Sequence, residues 1–335
     1  IWERIVGIHQ TPYTGDVYDP VNVPGHKFVL GNGIVTGNCC AYQFGADADT
    51  DQDFEAKLLF QDGKHFSMGS YQVVTLNLPR VAYQSASVDE FISKAKALMD
   101  VACEVFAIKK RWMDRIRAAG RAPFLTQRPP DPVTGEPGAM LVDFDALVYT
   151  IGVIGINEVV WHLTGHQLHE DPLAVKAALK IMLLLKRYSA VLAQKHGIEI
   201  AFARTPAETT GQRFAIADLL RDEYRPYAEK YVQGDAETAL REIGRSLDLP
   251  VYYTNGTHVP PGAPANIATR IGVEERFFPL VDGGNILHIW VGEARPDPAG
   301  LQELVLRICR TTNVGYFAIT RDLTVCRSSY RAINP

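Results

Sequence analysis

Gly69-Ser70-Tyr71-Gln72-Val73-Val74-Thr75-Leu76-Asn77-Leu78-Pro79-Arg80 sets a β-branched run, Val73-Val74-Thr75-Leu76, directly ahead of an Asn-Leu-Pro exit. The run favours a strand, and Pro79 cannot continue one. Downstream, Ser87 followed by Glu90 has the spacing of a capping box. Phe91, Leu98, Val105, Ile108, Trp112 and Ile116 then keep one apolar stripe, which predicts a long amphipathic helix. Gln127-Arg128-Pro129-Pro130-Asp131-Pro132 breaks the pattern. Two more helices are expected over roughly 143–163 and 171–196, the second ending near Gly197. Glu199 to Ala203, Val251 to Thr254, Ile286 to Val291 and Tyr316 to Thr320 read as strands. Alternation of this kind implies an α/β layered or barrel domain. No internal repeat or low-complexity tract interrupts it.

Composition narrows the function classes. The chain has 335 residues, 47% hydrophobic and 21% charged, as expected of a globular protein with a sizeable core. That length holds two or three average domains, or one large catalytic domain with a small appendage. A net charge of −4 argues against a nucleic-acid polymer or an anionic membrane as the main partner, while a nucleotide-sized ligand fits. Apolar stretches such as Ile181 to Leu185 are too short to span a bilayer. Ile1-Trp2-Glu3-Arg4 lacks a signal-peptide layout. The five cysteines, Cys39, Cys40, Cys103, Cys309 and Cys326, form no disulfide framework. A reducing, cytoplasmic compartment is therefore expected. An N-terminal Ile in place of Met suggests that the gene product begins further upstream.

Residues 1–38 differ from the rest. Ile5-Val6-Gly7-Ile8, Val17-Tyr18 and His26-Lys27-Phe28-Val29-Leu30 read as short strands, separated by turn signals at Gly15-Asp16, Pro24-Gly25 and Gly31-Asn32-Gly33. Val17-Tyr18-Asp19-Pro20, Pro24-Gly25-His26-Lys27-Phe28-Val29, Gly33-Ile34-Val35 and Gly37-Asn38-Cys39 together resemble the C-terminal end of an intein. The resemblance implies a small all-β fragment that takes part in protein splicing. Asn38 would cyclise onto its own carbonyl and break the bond to Cys39. The Cys39 thiol would serve as nucleophile in the preceding transfer step, and His26 would assist the proton transfers. The family usually has His before the terminal Asn. Gly37 stands there, so slower cyclisation or greater reliance on His26 is expected.

From Cys39 to about Cys326 the chain resembles anaerobic (class III) ribonucleoside-triphosphate reductases. The matching segments are Cys39-Cys40-Ala41-Tyr42, the Gly69 to Arg80 stretch, Ile151-Gly152-Val153-Ile154-Gly155-Ile156-Asn157-Glu158, Thr205-Pro206-Ala207-Glu208-Thr209-Thr210, Tyr253-Thr254-Asn255-Gly256-Thr257-His258-Val259-Pro260 and Gly283-Gly284-Asn285-Ile286-Leu287-His288. The implied fold for 39–335 is part of a ten-stranded α/β barrel of the glycyl-radical enzyme type. The implied reaction removes a ribose 2′-hydroxyl by thiyl and glycyl radical chemistry, which supplies deoxyribonucleotides for DNA. By resemblance Cys40 is the thiyl residue; Cys39 takes part in splicing and reduction, and the two assignments are interchangeable. Asn77 would bond the ribose hydroxyls, and Thr205, Pro206, Ala207, Glu208, Thr209 and Thr210 would hold the phosphates.

The same resemblance implies a radical-SAM iron–sulfur activase, formate or a thioredoxin-type protein as reductant, a homodimer and ATP/dNTP effectors. It also implies a structural zinc near Cys326, although Cys326-Arg327-Ser328-Ser329 lacks the second cysteine. No glycine near Pro335 matches the radical motif, so this fragment alone is expected to be inactive. Glu158 reads as a buried structural carboxylate. His162, His166 and His169 suggest a zinc cluster only weakly, because Gly165 interrupts their helix. Two other functions fit less well: a pyruvate formate-lyase-type glycyl-radical enzyme, and a fragment capable only of self-cleavage or trans-splicing.

Overall fold

The computed structural model describes residues 27–29, 35–37, 70–320, 324–325 and 332–333. Within 70–320 it leaves out 129, 131–133, 139, 141, 143, 146, 206–207, 246–248, 285 and 292–295. β1 (Lys27–Val29) pairs antiparallel with β2 (Val35–Gly37), with Phe28 opposite Thr36. β1 lies where a strand was expected, and β2 was not anticipated. The strands expected at 5–8 and 17–18 fall outside the described residues.

β3 (Ser70–Asn77), β4 (Val148–Ile154) and β5 (Ile200–Arg204) form a parallel sheet in that order. α1 (Leu78–Tyr83) and α2 (Val88–Ala118) connect the first two strands. α3 (Ile156–Thr164) and α4 (Pro172–His196) connect the next two. Asn77 ends β3 and caps α1 with its side chain, with Pro79 in the first turn, where its missing N–H costs nothing. At α2, Ser87 Oγ accepts from Glu90 N (3.2 Å) and Glu90 Oε2 accepts from Ala86 N (2.8 Å). The expected capping box is thus present with a shift of one residue on its return arm.

The sheet has two unlike faces. Leu76, Ile151, Val153 and Phe202 pack against Phe91, Met99 and Phe106 of α2 and Ile181, Met182 and Leu185 of α4, all buried. Removing such a side chain from water contributes about 1.5–3 kcal/mol. Strand alternation puts Val73, Thr75, Thr150, Gly152, Ala201 and Ala203 on the other face, in the register Thr75–Gly152–Ala203. Those residues are small or hydroxylated, and Val73 keeps 43% of its surface exposed.

Two expectations are corrected. The helix expected over 143–163 is the strand β4 followed, after Gly155, by the shorter helix α3. Tyr149 to Ile154 are buried on both faces of a central parallel strand, so the segment shows no in–out alternation, and periodicity cannot separate such a stretch from a buried helix. The stripe of α2 also turns. Its buried line is Phe91, Ile92, Ala95, Met99, Ala102, Cys103 and Phe106, whereas Ile108 and Trp112 lie on the exposed side.

Beyond β5 come α5 (Glu208–Leu219), α6 (Arg225–Tyr231), β6 (Gln233–Gly234), α7 (Ala236–Glu242) and β7 (Val251–Tyr252), which is antiparallel to β6. α8 (Ile267–Glu274) runs into a 3-10 turn, Glu275–Leu280. β8 (Leu287–Trp290) then pairs parallel with β9 (Phe317–Thr320) across α9 (Pro298–Thr311). Gly283 makes a parallel bridge to Ala203, and its carbonyl accepts from Arg204 N (3.2 Å), so the segment leading into β8 lies beside β5. β10 (Thr324–Val325) and β11 (Ala332–Ile333) form a further antiparallel pair. Among the described residues the parallel strands form short sheets and no closed barrel.

Gly155 and Gly165 bound α3, both with positive φ (81° and 83°), but only Gly155 is crowded. A Cβ there would run into the Pro79 ring, whereas nothing lies within 4 Å at Gly165. We expect Gly165→Ala to cost about 1 kcal/mol and Gly155→Ala roughly 2–4 kcal/mol in urea unfolding. Equal losses would show that the close approach to Pro79 contributes nothing.

His162 of α3 packs edge-on against Tyr83, Tyr227 and Tyr231, with centroids 5.5, 5.5 and 5.1 Å away. Burial, reinforced by the charge of Lys230, holds its pKa below the ordinary 6.5. A depressed folded-state pKa contributes stability above the unfolded value, and that contribution falls away as the pH drops through the folded one. Acidification below about 6.5 should therefore destabilise the protein more than it destabilises His162→Phe. Identical pH profiles of unfolding free energy would refute this.

Candidate active site

The C-terminal edge of the parallel sheet gathers the polar groups. Asn77 closes β3, and its Nδ2 donates to Asp218 Oδ2 on α5 (3.0 Å) while its Oδ1 accepts from Arg80 N (3.3 Å). The opposite amide orientation would set a carbonyl oxygen against the carboxylate, so the hydrogen bonds define the one observed. Arg80 Nε donates to Asp218 Oδ1 (2.6 Å), its Nη2 pairs with the same oxygen, and its guanidinium lies 5.0 Å over the Tyr224 ring. Tyr253 donates its hydroxyl proton to Asp218 Oδ2 (2.9 Å) and receives a bond from Tyr83 (3.1 Å). Burial drives the Tyr253 and Tyr83 phenols far above their usual pKa, so both remain donors. Asp218 has no exposed surface and accepts from three side chains. Deleting one partner of such a buried pair typically costs on the order of 3–5 kcal/mol.

Beside this network, Thr75 Oγ1 donates to Thr205 Oγ1 (3.3 Å), across Gly152. A Cβ at Gly152 would collide with the Thr205 hydroxyl, so glycine is what lets Thr205 lie over the sheet. α5 begins at Glu208, three residues earlier than the sequence suggested. Thr209 and Thr210 therefore belong to its first turn, whose N–H groups have no intrahelical partner. Glu158, fully buried, stitches α3 to the segment after β7. Its carboxylate accepts from Thr254 Oγ1 (2.6 Å), Thr254 N (3.1 Å), Gln233 Nε2 (2.9 Å) and Asn157 Nδ2 (3.3 Å). Burial raises its pKa and these donors oppose the rise. Among the described residues none of its hydrogen bonds goes to the Asn77 network, which fits a structural role.

A cleft of about 920 Å³ opens next to these elements, lined by Thr209 and Gln212 of α5, Tyr252, His258, Glu274 of α8 and Trp290 of β8, among others. Of the site residues expected from sequence, the structure places Asn77 at the strand edge, Thr205 against Gly152, and Thr209 on the cleft. Thr210 lies in the same turn, and of Glu208 only the backbone is described. Cys39, Cys40, His26, Asn38, Pro206, Ala207 and Cys326 lie outside the described residues. Asp218 and Arg80 were missed as partners of Asn77, and Tyr253 as a further partner of Asp218. A hint existed at Asp218, a carboxylate between Ile216 and Leu219 in an otherwise apolar stretch of helix. Among the described residues no group of three His, Cys, Asp or Glu side chains could hold a metal, and no helix is long and apolar enough to cross a membrane.

Comparison with known proteins bears on the family and the fold. Residues 19–334 match the family model for anaerobic ribonucleoside-triphosphate reductase. No curated protein matches the chain in sequence. A solved anaerobic ribonucleotide reductase superposes with a TM-score of 0.61 at 20% identity, over 81% of this chain and 38% of its own. The Thermotoga maritima enzyme with glycerol in the active site gives 0.60 at 21% identity, over 80% and 39%. The same enzyme in complex with dATP and CTP gives 0.59 at 20%, over 80% and 39%. At such identities the likeness establishes fold alone, and the chain spans about two fifths of those reductase chains. With the family model covering nearly its whole length, the chain belongs to the anaerobic ribonucleoside-triphosphate reductase family.

Proposed function

We propose that this chain is the part of an anaerobic reductase that holds a ribonucleoside triphosphate while its 2′-hydroxyl is removed, with the ribose at Asn77. The observation that carries this reading is the state of the Asn77 amide. Asp218 and Arg80 N each take one of its bonds. A carboxamide has two N–H groups and two carbonyl lone pairs, so one donor and one acceptor remain. A neutral pair of that kind suits adjacent ribose hydroxyls, at the strand edge where open α/β sheets bind ligands. The phosphates would lie toward Thr205, Pro206, Ala207, Glu208, Thr209 and Thr210, where the free N–H groups and dipole of a helix start favour anions. A cleft of about 920 Å³ is within the range of small-molecule sites.

In this reading the small-residue face of β3, β4 and β5 lines the inside of a partial ten-stranded barrel and receives the loop that carries Cys40. Cys40 removes the 3′-hydrogen as a thiyl radical, water leaves from C2′, and formate or a thioredoxin-type protein returns the electrons. Cys39 is the alternative thiol. A glycyl radical installed by an iron–sulfur activase supplies the oxidising equivalent, and a zinc near Cys326 steadies that region. The solved relative with dATP bound in the specificity site supports ATP/dNTP effectors for the full-length enzyme. A homodimer is part of the same reading.

The test is nucleotide binding by the full chain. Wild-type protein should bind a ribonucleoside triphosphate more tightly than its 2′-deoxy counterpart, by roughly two- to tenfold for one hydrogen bond. Asn77→Ala should lose that preference and remain folded by circular dichroism. Equal binding of both nucleotides by the wild type would sink the proposal.

Residues 1–38 are proposed as an intein C-terminal fragment. The family match starting at residue 19 favours a second reading, in which 19–38 belong to the reductase itself. Intact-mass measurement separates the two. Splicing chemistry predicts that a thiol-containing sample releases residues 1–38 over days and that Asn38→Ala does not; a stable full-length mass supports the second reading.

A further inference from the structure

The cleft wall contains a buried chain of charges that the ribose site does not use. His258 Nδ1 lies 2.6 Å from Glu274 Oε2, and Glu274 Oε1 accepts from Val259 N (3.0 Å). Glu274 is 3% exposed and the His258 side chain 12%. Behind them sits Arg204, the last residue of β5, 1% exposed, with a 2.6 Å bond from Nη1 to Thr257 Oγ1 and its guanidinium 5.0 Å over Phe278. Its Nε and Nη2 have no hydrogen-bond partner. His258 Nε2 likewise has none among the described residues. A buried carboxylate held against Nδ1 fixes the ring and obliges any bond to the cleft to come from Nε2.

Among the described lining residues the other cation is occupied. Arg270 of α8 donates to the carbonyls of Val259, Pro260, Pro261, Ala263 and Ala265 at 2.8–3.3 Å, so it folds that loop and contributes charge without a free donor. His288 of β8 stands 6.3 Å from His258, ring to ring, and stacks on Trp290 at 5.7 Å. Opposite, on the same cleft, lie Thr209 and Gln212 near the start of α5.

We infer that Glu274 and His258 form a positioning pair for the phosphate chain of the bound nucleotide, with Glu274 orienting the imidazole and Nε2–H donating to a phosphate oxygen. This rests on the proposed nucleotide reading of the cleft and deepens it. Burial pushes the Glu274 carboxyl up, but the charge and hydrogen bond of His258, Arg204 and the Val259 amide outweigh it and hold its pKa below the usual range. Burial lowers Arg204 to about 10 and Glu274 opposes the drop, so it stays a cation at neutral pH. Arg204 and Glu274 thus neutralise each other. Arg270 already leaves the wall net positive, and with Nδ1–H turned to Glu274 it is the charged form of His258 that presents Nε2–H as a donor to an anion.

The test is calorimetric titration of the full chain with inorganic tripolyphosphate and with ATP between about pH 5 and 8, the window in which histidines change charge. Wild-type affinity for both should fall as the pH rises. His258→Gln should bind roughly tenfold more weakly at the acid end and lose the slope, a loss on the scale of one charge-assisted hydrogen bond. Glu274→Gln, checked for folding by circular dichroism, should keep a weakened slope. A slope that survives in His258→Gln, a slope that follows His288→Gln instead, or no tripolyphosphate binding at all would overturn the inference. His258-dependent binding with no ribose preference at Asn77 would leave this subsite standing and remove the ribonucleotide reading. A ribose preference with an unchanged His258→Gln slope would do the reverse.

Discussion

Asp218 is the group on which the arrangement at the strand edge depends. A carboxylate without solvent must find its donors inside the protein, and here they come from β3 (Asn77), α1 (Arg80) and the segment after β7 (Tyr253). Each of those residues sits on a different element, so one side chain from α5 fixes three backbone segments relative to one another. The attraction of Arg80 alone would be a poor return for burying a charge. Three donors converging on two oxygens make the burial tolerable and leave Asn77 in a single orientation.

The sheet supplies the surface on which that network stands. Its helix-facing side is packed with Leu76, Ile151, Val153 and Phe202. Its other side carries Thr75, Gly152 and Ala203 in register, with the Thr205 hydroxyl lying over Gly152. One face therefore holds the fold together while the other carries small and hydroxylated side chains that leave room above the sheet. The two glycines of Ile151-Gly152-Val153-Ile154-Gly155 serve separate needs. Gly152 makes room for a side chain, and Gly155 turns the chain from strand into helix with a left-handed backbone against Pro79.

Much of this was legible in the residues. The β-branched run ending at Asn77, the Ser87–Glu90 cap, the helix from 172 to 196 and the strand before Thr205 all carry local signals, because propensity and capping act over a few residues. β4 was misread for the opposite reason. Tyr149 to Ile154 are buried on both faces of the strand, and no local pattern records which elements cover them. The exposed side of α2 at Ile108 and Trp112 was misjudged likewise, since the direction of a helix's buried face depends on what it packs against. The motif Tyr253 to His258 drew notice as a string, yet nothing in it announces that Tyr253 reaches Asp218 or that His258 meets Glu274, partners 35 and 16 residues away.

By itself the sequence determined the class of fold, the family and the placing of Asn77 and Thr205 at the ends of strands, because those follow from short-range backbone preferences and from ordered motifs. Only the tertiary structure decided which carboxylates answer those residues. Asp218 and Glu274 look like ordinary helix residues until the parallel strands bring them out of water, and a buried charge then has to bond whatever the packing places within about 3 Å.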